Sequence, residues 1–242
     1  MIIVVSYASG GTDSIHIQNQ KDLDITIKRR TNYRHVMYND SMIQEFIKKN
    51  KNIFKFKKGA GYWSWKPYII KLEMDKMGDN DILLYIDSGS YLLNPIEQII
   101  KEFQHNIITF NSCCYTKNLT KRDCLILMDA DTDEIRNTKQ IEANFIILRK
   151  KAIDLVNEWL LHATNEQLIT DSKSILKNEH PEFSQHRHDQ SILDILAKKY
   201  PRNKTLSFSY KNKYVMHHRR RAIYTPPFIR WGCFGPHGFP RS

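Results

Sequence analysis

The feature that most limits what this chain can fold into is a five-residue apolar run, Ile82 to Ile86, bounded by Asp81 and Asp87. A continuous run this short, built of branched and aromatic residues, predicts a central strand buried on both faces. A helical pattern over residues 65–77 precedes it. Pro67 sits there in a first turn that tolerates a missing N–H, and Ile69, Ile70, Leu72 and Met77 give an apolar face. In a chain that alternates helix and strand, a carboxylate at the C-terminal end of such a strand stands where open sheets bind ligands. Asp87 is therefore the anchor of the reading.

Elsewhere the pattern repeats. Ile2 to Ser6 is a β-branched run ended by Tyr7, Ala8, Ser9, Gly10 and Gly11, which reads as a strand and a glycine turn. A helix is expected within 13–30, a strand at 35–38, and a helix capped by Asp40 through Lys49. Further helices are expected at 96–103, at 120–128 with Thr120 as cap, at 152–162 and at 189–199. Strands are expected at 107–110 and 143–148, and 206–216 alternates like an edge or antiparallel strand. With 242 residues, no linker and no repeat, this predicts one α/β domain over residues 1–242, with a mostly parallel mixed sheet flanked by helices.

Lys and Arg total 37 against 26 acidic residues, a formal net charge of +11. That excess points to an anionic partner, whether nucleic acid, anionic lipid or a phosphorylated small molecule. The opening MIIVVSY is short and lacks a basic flank, so it reads as a core strand rather than a signal peptide. No run reaches the roughly 18 apolar residues of a membrane span. The four cysteines make no CxxC pair and no zinc spacing, and Cys113 and Cys114 read as reduced strand residues, which favours a cytoplasmic protein.

Two acidic motifs compete. Asp87, Ser88 and Gly89 follow the apolar run, while a literal Asp-x-Asp, Asp129 and Asp131, follows CLILM. Thr120 with Asp123 resembles a helix capping pair, which makes 124–128 a helix and leaves Asp129 and Asp131 in a loop. Later, Asp189 and Gln190 open a helix with Ile192, Leu193, Ile195 and Leu196 on its apolar positions. An acid there is either functional or a cap that stabilises by roughly 1 kcal/mol. Neighbouring His217 and His218 point to opposite faces if extended, so at most one faces a common site. Arg219, Arg220 and Arg221 suit phosphate oxygens, of a diphosphate or of nucleic acid.

GYWSWKPYII, DILLYIDSGS, QIEANFIILRK, HRHDQSILDILAKKY and MHHRR occur in that order. Together they resemble a family of nucleotide-sugar-dependent glycosyltransferases of the GT-A fold, found in bacteria and large DNA viruses, over nearly the whole chain. The resemblance implies a Rossmann-like GT-A domain that moves a sugar from a UDP-sugar donor to a hydroxyl of a glycan or protein acceptor. It implies Mn²⁺ or Mg²⁺ held by Asp87 and a late histidine, His217 in preference to His218. The superfamily's second motif aspartate is replaced here by Gly89, which weakens metal dependence and lets backbone approach phosphate.

By the same resemblance Asp189 and Gln190 are catalytic. The donor is contacted by Tyr7, Trp63, Trp65, Lys66, Asp87, Ser88, Gly89, Gln140, Glu142, Asn144, His188 and Arg219. One of the two tryptophans belongs to the core and the other to the sugar, and Asn144 stands near a position where the family commonly has glycine. A nucleotidyltransferase of related fold and a basic nucleic-acid-binding protein are the rival readings. Only the glycosyltransferase explains the motif order, so no nucleic acid is expected as partner.

Overall fold

The computed structural model of the chain describes residues 1–217. His218, Arg219, the rest of the basic triplet and the aperiodic tail lie outside the described residues. The strands are β1 (Ile2–Ala8), β2 (Arg34–Asn39), β3 (Ile82–Ile86), β4 (Ser90–Leu92), β5 (Ile107–Tyr115), β6 (Lys139–Arg149), β7 (Asn203–Leu206) and β8 (Val215–His217). Six of them form one sheet in the order β2-β1-β3-β6-β5-β7, and β4 pairs with β8 apart from it. β1 runs parallel to β2 and β3, and β5 to β7, while β6 is antiparallel to both its neighbours. The expected mixed, mostly parallel α/β sheet is what the chain forms.

Helices cover both faces. The principal ones are α1 (Ile15–Arg30), α2 (Trp65–Lys76), α3 (Glu97–Glu102), α4 (Arg122–Leu127), α5 (Ile153–Ala163), α6 (Asp189–Lys199) and the single turn α7 (Phe208–Lys211). β3 is buried at all five positions. Leu83 and Tyr85 face a core with Ile69, Trp159 and Ile192, while Ile82, Leu84 and Ile86 face Leu23, Ile27 and Ile99. Alternation along a strand sends successive side chains to opposite faces, so a strand covered on both sides must be apolar throughout.

Four local expectations are corrected. The stretch 206–216 is two short strands separated by α7, because the Ser207 side chain accepts the Tyr210 N–H and starts a helical turn. Asn39, not Asp40, caps the 3₁₀ turn that opens the next helix, and Asp40 instead accepts the Tyr7 hydroxyl and the Gly10 N–H. Thr120 does not cap α4; Lys121 precedes it, and the Thr120 hydroxyl accepts from Gln140. Cys113 and Cys114 do lie in β5, yet Cys114 is disulfide-bonded, so the expected reduced pair is not found. Among the described residues no helix is long and apolar enough to cross a membrane.

β6 carries a bulge that matters for the site. Ile108 pairs with Ile147 and Phe110 with Glu142, so two steps along β5 are matched by five along β6. Extra residues of this kind bend a strand and re-aim its side chains. The bulged stretch includes Ala143 and Asn144, beside the end of β3.

A second local device precedes α2. Gly59, Ala60, Gly61, Tyr62 and Trp63 all have positive φ, and the N–H groups of Tyr62 and Trp63 bond to the carbonyls of Lys58 and Gly59. This is a turn of left-handed helix, which costs non-glycine residues roughly 1–2 kcal/mol each. A Cβ on Gly59 would stand 2.4 Å from the Trp63 ring. Gly59→Ala is therefore expected to lower stability by about 2 kcal/mol or more. Chemical denaturation measures it, and a loss under about 0.5 kcal/mol, the scale of a neutral surface change, would contradict the geometry.

Under β1 the Asp24 carboxylate lies 3.0 Å from His35 Nδ1, and His35 Nε2 lies 2.8 Å from Ser6 Oγ, which also accepts from Gln20. The array has the connectivity of a hydrolytic triad, but Ser6 is wholly buried and no substrate reaches it. Burial pulls the His35 pKa below its usual 6.5, against the opposing pull of Asp24. A histidine whose folded pKa is depressed stays neutral when the unfolded chain takes up a proton, so its contribution to stability is lost as pH falls through 6.5. The denaturation midpoint of the wild type should therefore drop more steeply between pH 7 and 5 than that of His35→Asn. Parallel pH profiles would count against this role.

Candidate functional site

The site is centred on an ammonium group. Lys66, in the first turn of α2, is 3% exposed. Its Nζ donates to the Ala143 carbonyl at 3.0 Å, lies 2.8 Å from Asp189 Oδ2 and 3.6 Å from Asp87 Oδ1. The contact with Asp189 Oδ2 falls outside aligned hydrogen-bond geometry, so it acts as an ion pair. The bulge in β6 presents the accepting carbonyl, and three segments distant in sequence meet on one cation.

Burial opposes the charge on Lys66, but Asp189 and then Asp87 outweigh it and hold the ammonium above its ordinary pKa. Asp189 goes the other way for a carboxylate: burial lifts it to about 6, opposed by Lys66 and helped by the charge of Asp87. Its charge is lightly held, because one oxygen has no aligned hydrogen bond. Lys66 thus stays protonated and Asp189 is the member that titrates.

Asp87 follows directly on β3, its N–H bonded to the Asn144 carbonyl at 2.9 Å. Its Oδ1 accepts from the Tyr85 hydroxyl at 2.7 Å, and the Tyr85 ring lies 5.1 Å beneath Lys66 Nζ. Asp87 is about one-third exposed, with side-chain exposure of 35%. The sequence reading missed Tyr85, although its place two residues before Asp87 on one strand face already put it on the same side.

Asp189 is the first residue of α6, and the N-cap position belongs to His188, which makes no side-chain cap bond. His188 has φ 54°, a strained value for a residue with a Cβ. Its Nδ1 bonds to the Ile169 carbonyl at 2.7 Å, and its ring lies 4.6 Å from that of Tyr62 and 5.6 Å from that of Trp63. Burial pulls its pKa to about 4, so it is neutral at pH 7. Gln190 donates to Gln140 Oε1 at 2.6 Å, and Gln140 is fully buried, bonded to Thr120 and Ser191. Gln140 therefore braces Gln190 from behind.

On the other side, Glu142 pairs with Lys211 of α7, and both lie against Asn144 at 3.3 Å. Lys211 is 1% exposed, and sequence reasoning missed it because it lies in the stretch misread as one strand. Across the β4–β8 pair, Ser90 Oγ lies 2.7 Å from His217 Nδ1, and the charges of Asp87, Glu142 and Lys211 all act on this imidazole. Ser88 is nearly buried in the turn between β3 and β4. Among the described residues the glycines with positive φ are Gly10, Gly59 and Gly61, so Gly89 is not needed for backbone handedness.

Trp65 is the core tryptophan: it is buried, donates to the Gly59 carbonyl and stacks on Tyr7 with ring centroids 3.9 Å apart. Trp63 is the half-buried one, beside His188. Tyr7 is itself buried, with its hydroxyl bonded to Asp40. Asp131 pairs with Arg122 and Arg136, and Asp129 follows α4 with φ 48°. The rival acidic motif therefore follows a helix, as expected, although Thr120 does not cap that helix, and its second carboxylate is already paired with two arginines.

Among the described residues no three His, Cys, Asp or Glu side chains converge into a metal site. Asp87 and His217 remain as a two-group set. Such a set fits Mg²⁺ or Mn²⁺ only as an ion that keeps waters and takes further oxygens from substrate phosphates.

No family model and no curated protein sequence matches the chain. Solved structures do. Apo mouse xyloside xylosyltransferase 1 is 7% identical over 85% of this chain and 85% of that one, with a TM-score of 0.50. A glycosyltransferase involved in the glycosylation of the major capsid of PBCV-1 is 12% identical over 90% of this chain and 96% of that one, also at 0.50. At these identities the likeness speaks for the fold alone, and that fold is the α/β GT-A architecture of glycosyltransferases.

Proposed function

We propose that the chain is a glycosyltransferase that moves a sugar from a nucleoside diphosphate donor, a UDP-sugar, to a hydroxyl of a glycan or protein acceptor. The observation that carries the reading is the Lys66 ammonium between Asp87, at the end of β3, and Asp189, at the start of α6. It puts together a buried positive charge, a carboxylate about one-third exposed and a buried carboxylate whose pKa is raised to about 6.

In this reading the bond from the anomeric carbon to the diphosphate oxygen breaks with its electron pair on the leaving UDP. The acceptor oxygen forms the new bond, and its proton passes to the Asp189 carboxylate. A pKa of about 6 suits that task at neutral pH, since a general base works best near the operating pH. Gln190, held by Gln140, faces the sugar, and Trp63 with neutral His188 supplies an apolar wall. Glu142, Asn144 and buried Lys211 line the donor side. Mg²⁺ or Mn²⁺ on Asp87 and His217 would supply charge to the leaving diphosphate when bound. Tyr7, screened by Trp65, serves the donor through the backbone of its strand end.

Asp87→Ala is expected to abolish turnover of UDP-sugar while the protein stays folded. The pair Asp129→Ala and Asp131→Ala should leave turnover nearly intact. Thermal shift with UDP reads binding directly, since a ligand at 100 times its Kd adds about 2.7 kcal/mol. UTP in place of UDP-sugars tests the nucleotidyltransferase alternative, and turnover with UTP alone would favour it.

Asp189→Asn should bind UDP as wild type does and transfer sugar at least ~100-fold more slowly, on the scale of general-base loss. The wild-type kcat/KM should rise with pH through about 6, where the Asp189 carboxyl ionises, and the variant should lose that rise. Wild-type rates in Asp189→Asn would remove the base from this residue.

A further inference from the structure

The loop between α5 and α6 is tied down from beneath and apolar on top. Lys121, itself 2% exposed, donates to the Thr170 carbonyl and to Ser172. The buried Asp123 carboxylate accepts the N–H groups of Ile175 and Leu176 at 2.9 and 3.0 Å and the Gln167 amide at 3.1 Å. These bonds fix the backbone through groups every residue has, so they do not call for aliphatic side chains at 175 and 176. Yet Ile175 is 79% exposed and Leu176 49%.

The surroundings are basic. Lys173 and Lys177 flank the two aliphatics, and both are exposed. Lys58 is joined to the loop by its bond to Asp171 and brings exposed Lys57 alongside. The local acids are already engaged: Glu166 pairs with Lys55, Asp171 with Lys58, Glu182 with Lys117, and Glu179 accepts the Arg122 N–H. Lys57, Lys173 and Lys177 form no ion pair among the described residues, so no described acid neutralises them.

We propose that the loop at 171–178 docks on an anionic lipid surface. Ile175 and Leu176 enter the headgroup boundary while Lys173 and Lys177 meet lipid phosphates. Two aliphatics ringed by ammonium groups match shallow insertion, in which apolar burial and charge attraction add. A stable protein interface needs on the order of 800 Å² per partner with an aromatic core. Single-stranded nucleic acid is gripped by aromatic stacking, which this tip lacks. The inference is independent of the sugar-transfer reading. Within the chain the docked loop leads directly to His188 and Asp189.

The test is co-sedimentation of the full chain with vesicles at ~0.1 M salt, where surface charge still acts over about 10 Å. Vesicles of phosphatidylcholine alone are compared with phosphatidylcholine mixed with phosphatidylglycerol. Wild type should pellet with the mixed vesicles and stay in solution with the neutral ones. The doubles Ile175→Ser with Leu176→Ser, and Lys173→Gln with Lys177→Gln, should each lower the partition coefficient by roughly 10-fold or more. Their thermal midpoints should match wild type, because the altered side chains are exposed. Failure of wild type to pellet with mixed vesicles overturns the proposal. So does wild-type partition by the Ile175→Ser, Leu176→Ser variant, which would assign lipid binding to the chain's overall charge.

Discussion

One buried cation holds this site together. Lys66 stands where two carboxylates distant in sequence and a carbonyl from a bulged strand converge. Taking an ammonium out of water costs several kcal/mol, and removing one partner of a buried pair typically costs about 3–5 kcal/mol. The arrangement therefore works only as a set. Without Lys66, Asp87 and Asp189 would face each other as like charges. Without Asp189, the ammonium would keep only the partly exposed Asp87. Such pairs are weak evidence for stability, and a hydrophobic replacement would often fold as well.

The backbone carries as much of the geometry as the side chains. The Asn144 carbonyl meets the Asp87 N–H by continuing the regular β3–β6 register, and the Ala143 carbonyl, in the stretch that bulges against β5, accepts from Lys66, so the β6 backbone holds both Asp87 and Lys66. Beyond the bulge, Glu142 and Asn144 meet Lys211. The site thus has two ammonium groups on two sides, each clasped by carboxylate, with Asp87 and His217 at the open end.

Much of the fold was legible because it rests on periodicity. β3 and α6 were read to the residue, as Ile82 to Ile86 and Asp189 to Lys199, since strong apolar patterns there end at charged residues. Caps were read less well: Asn39 and Lys121 took the places expected of Asp40 and Thr120, because a side chain with a tertiary partner leaves its local one. The alternation at 206–216 misled because the Ser207 hydroxyl accepts the Tyr210 N–H, a local bond that competes with strand pairing. The preference for Asp87 over Asp129 and Asp131 as a candidate came from motif order and strand context. The burial of Lys66 between two carboxylates did not, since no sequence pattern records which distant acids a lysine meets. Lys211 was missed because the stretch that holds it was read as a strand rather than as the turn α7.

The left-handed turn at Gly59 to Trp63 bears on how the crevice is assembled. Three residues with side chains adopt a mirror-image helix that their local preferences reject, so the turn cannot form as an independent unit and must be imposed by what packs on it. Part of that packing is His188, itself in a disfavoured conformation and in ring contact with Tyr62 and Trp63. Two reluctant segments, some 125 residues apart, therefore brace each other on either side of Lys66 and Asp189. Order in one segment is conditional on order in the other, which links the ring of Trp63 to the entry of α6.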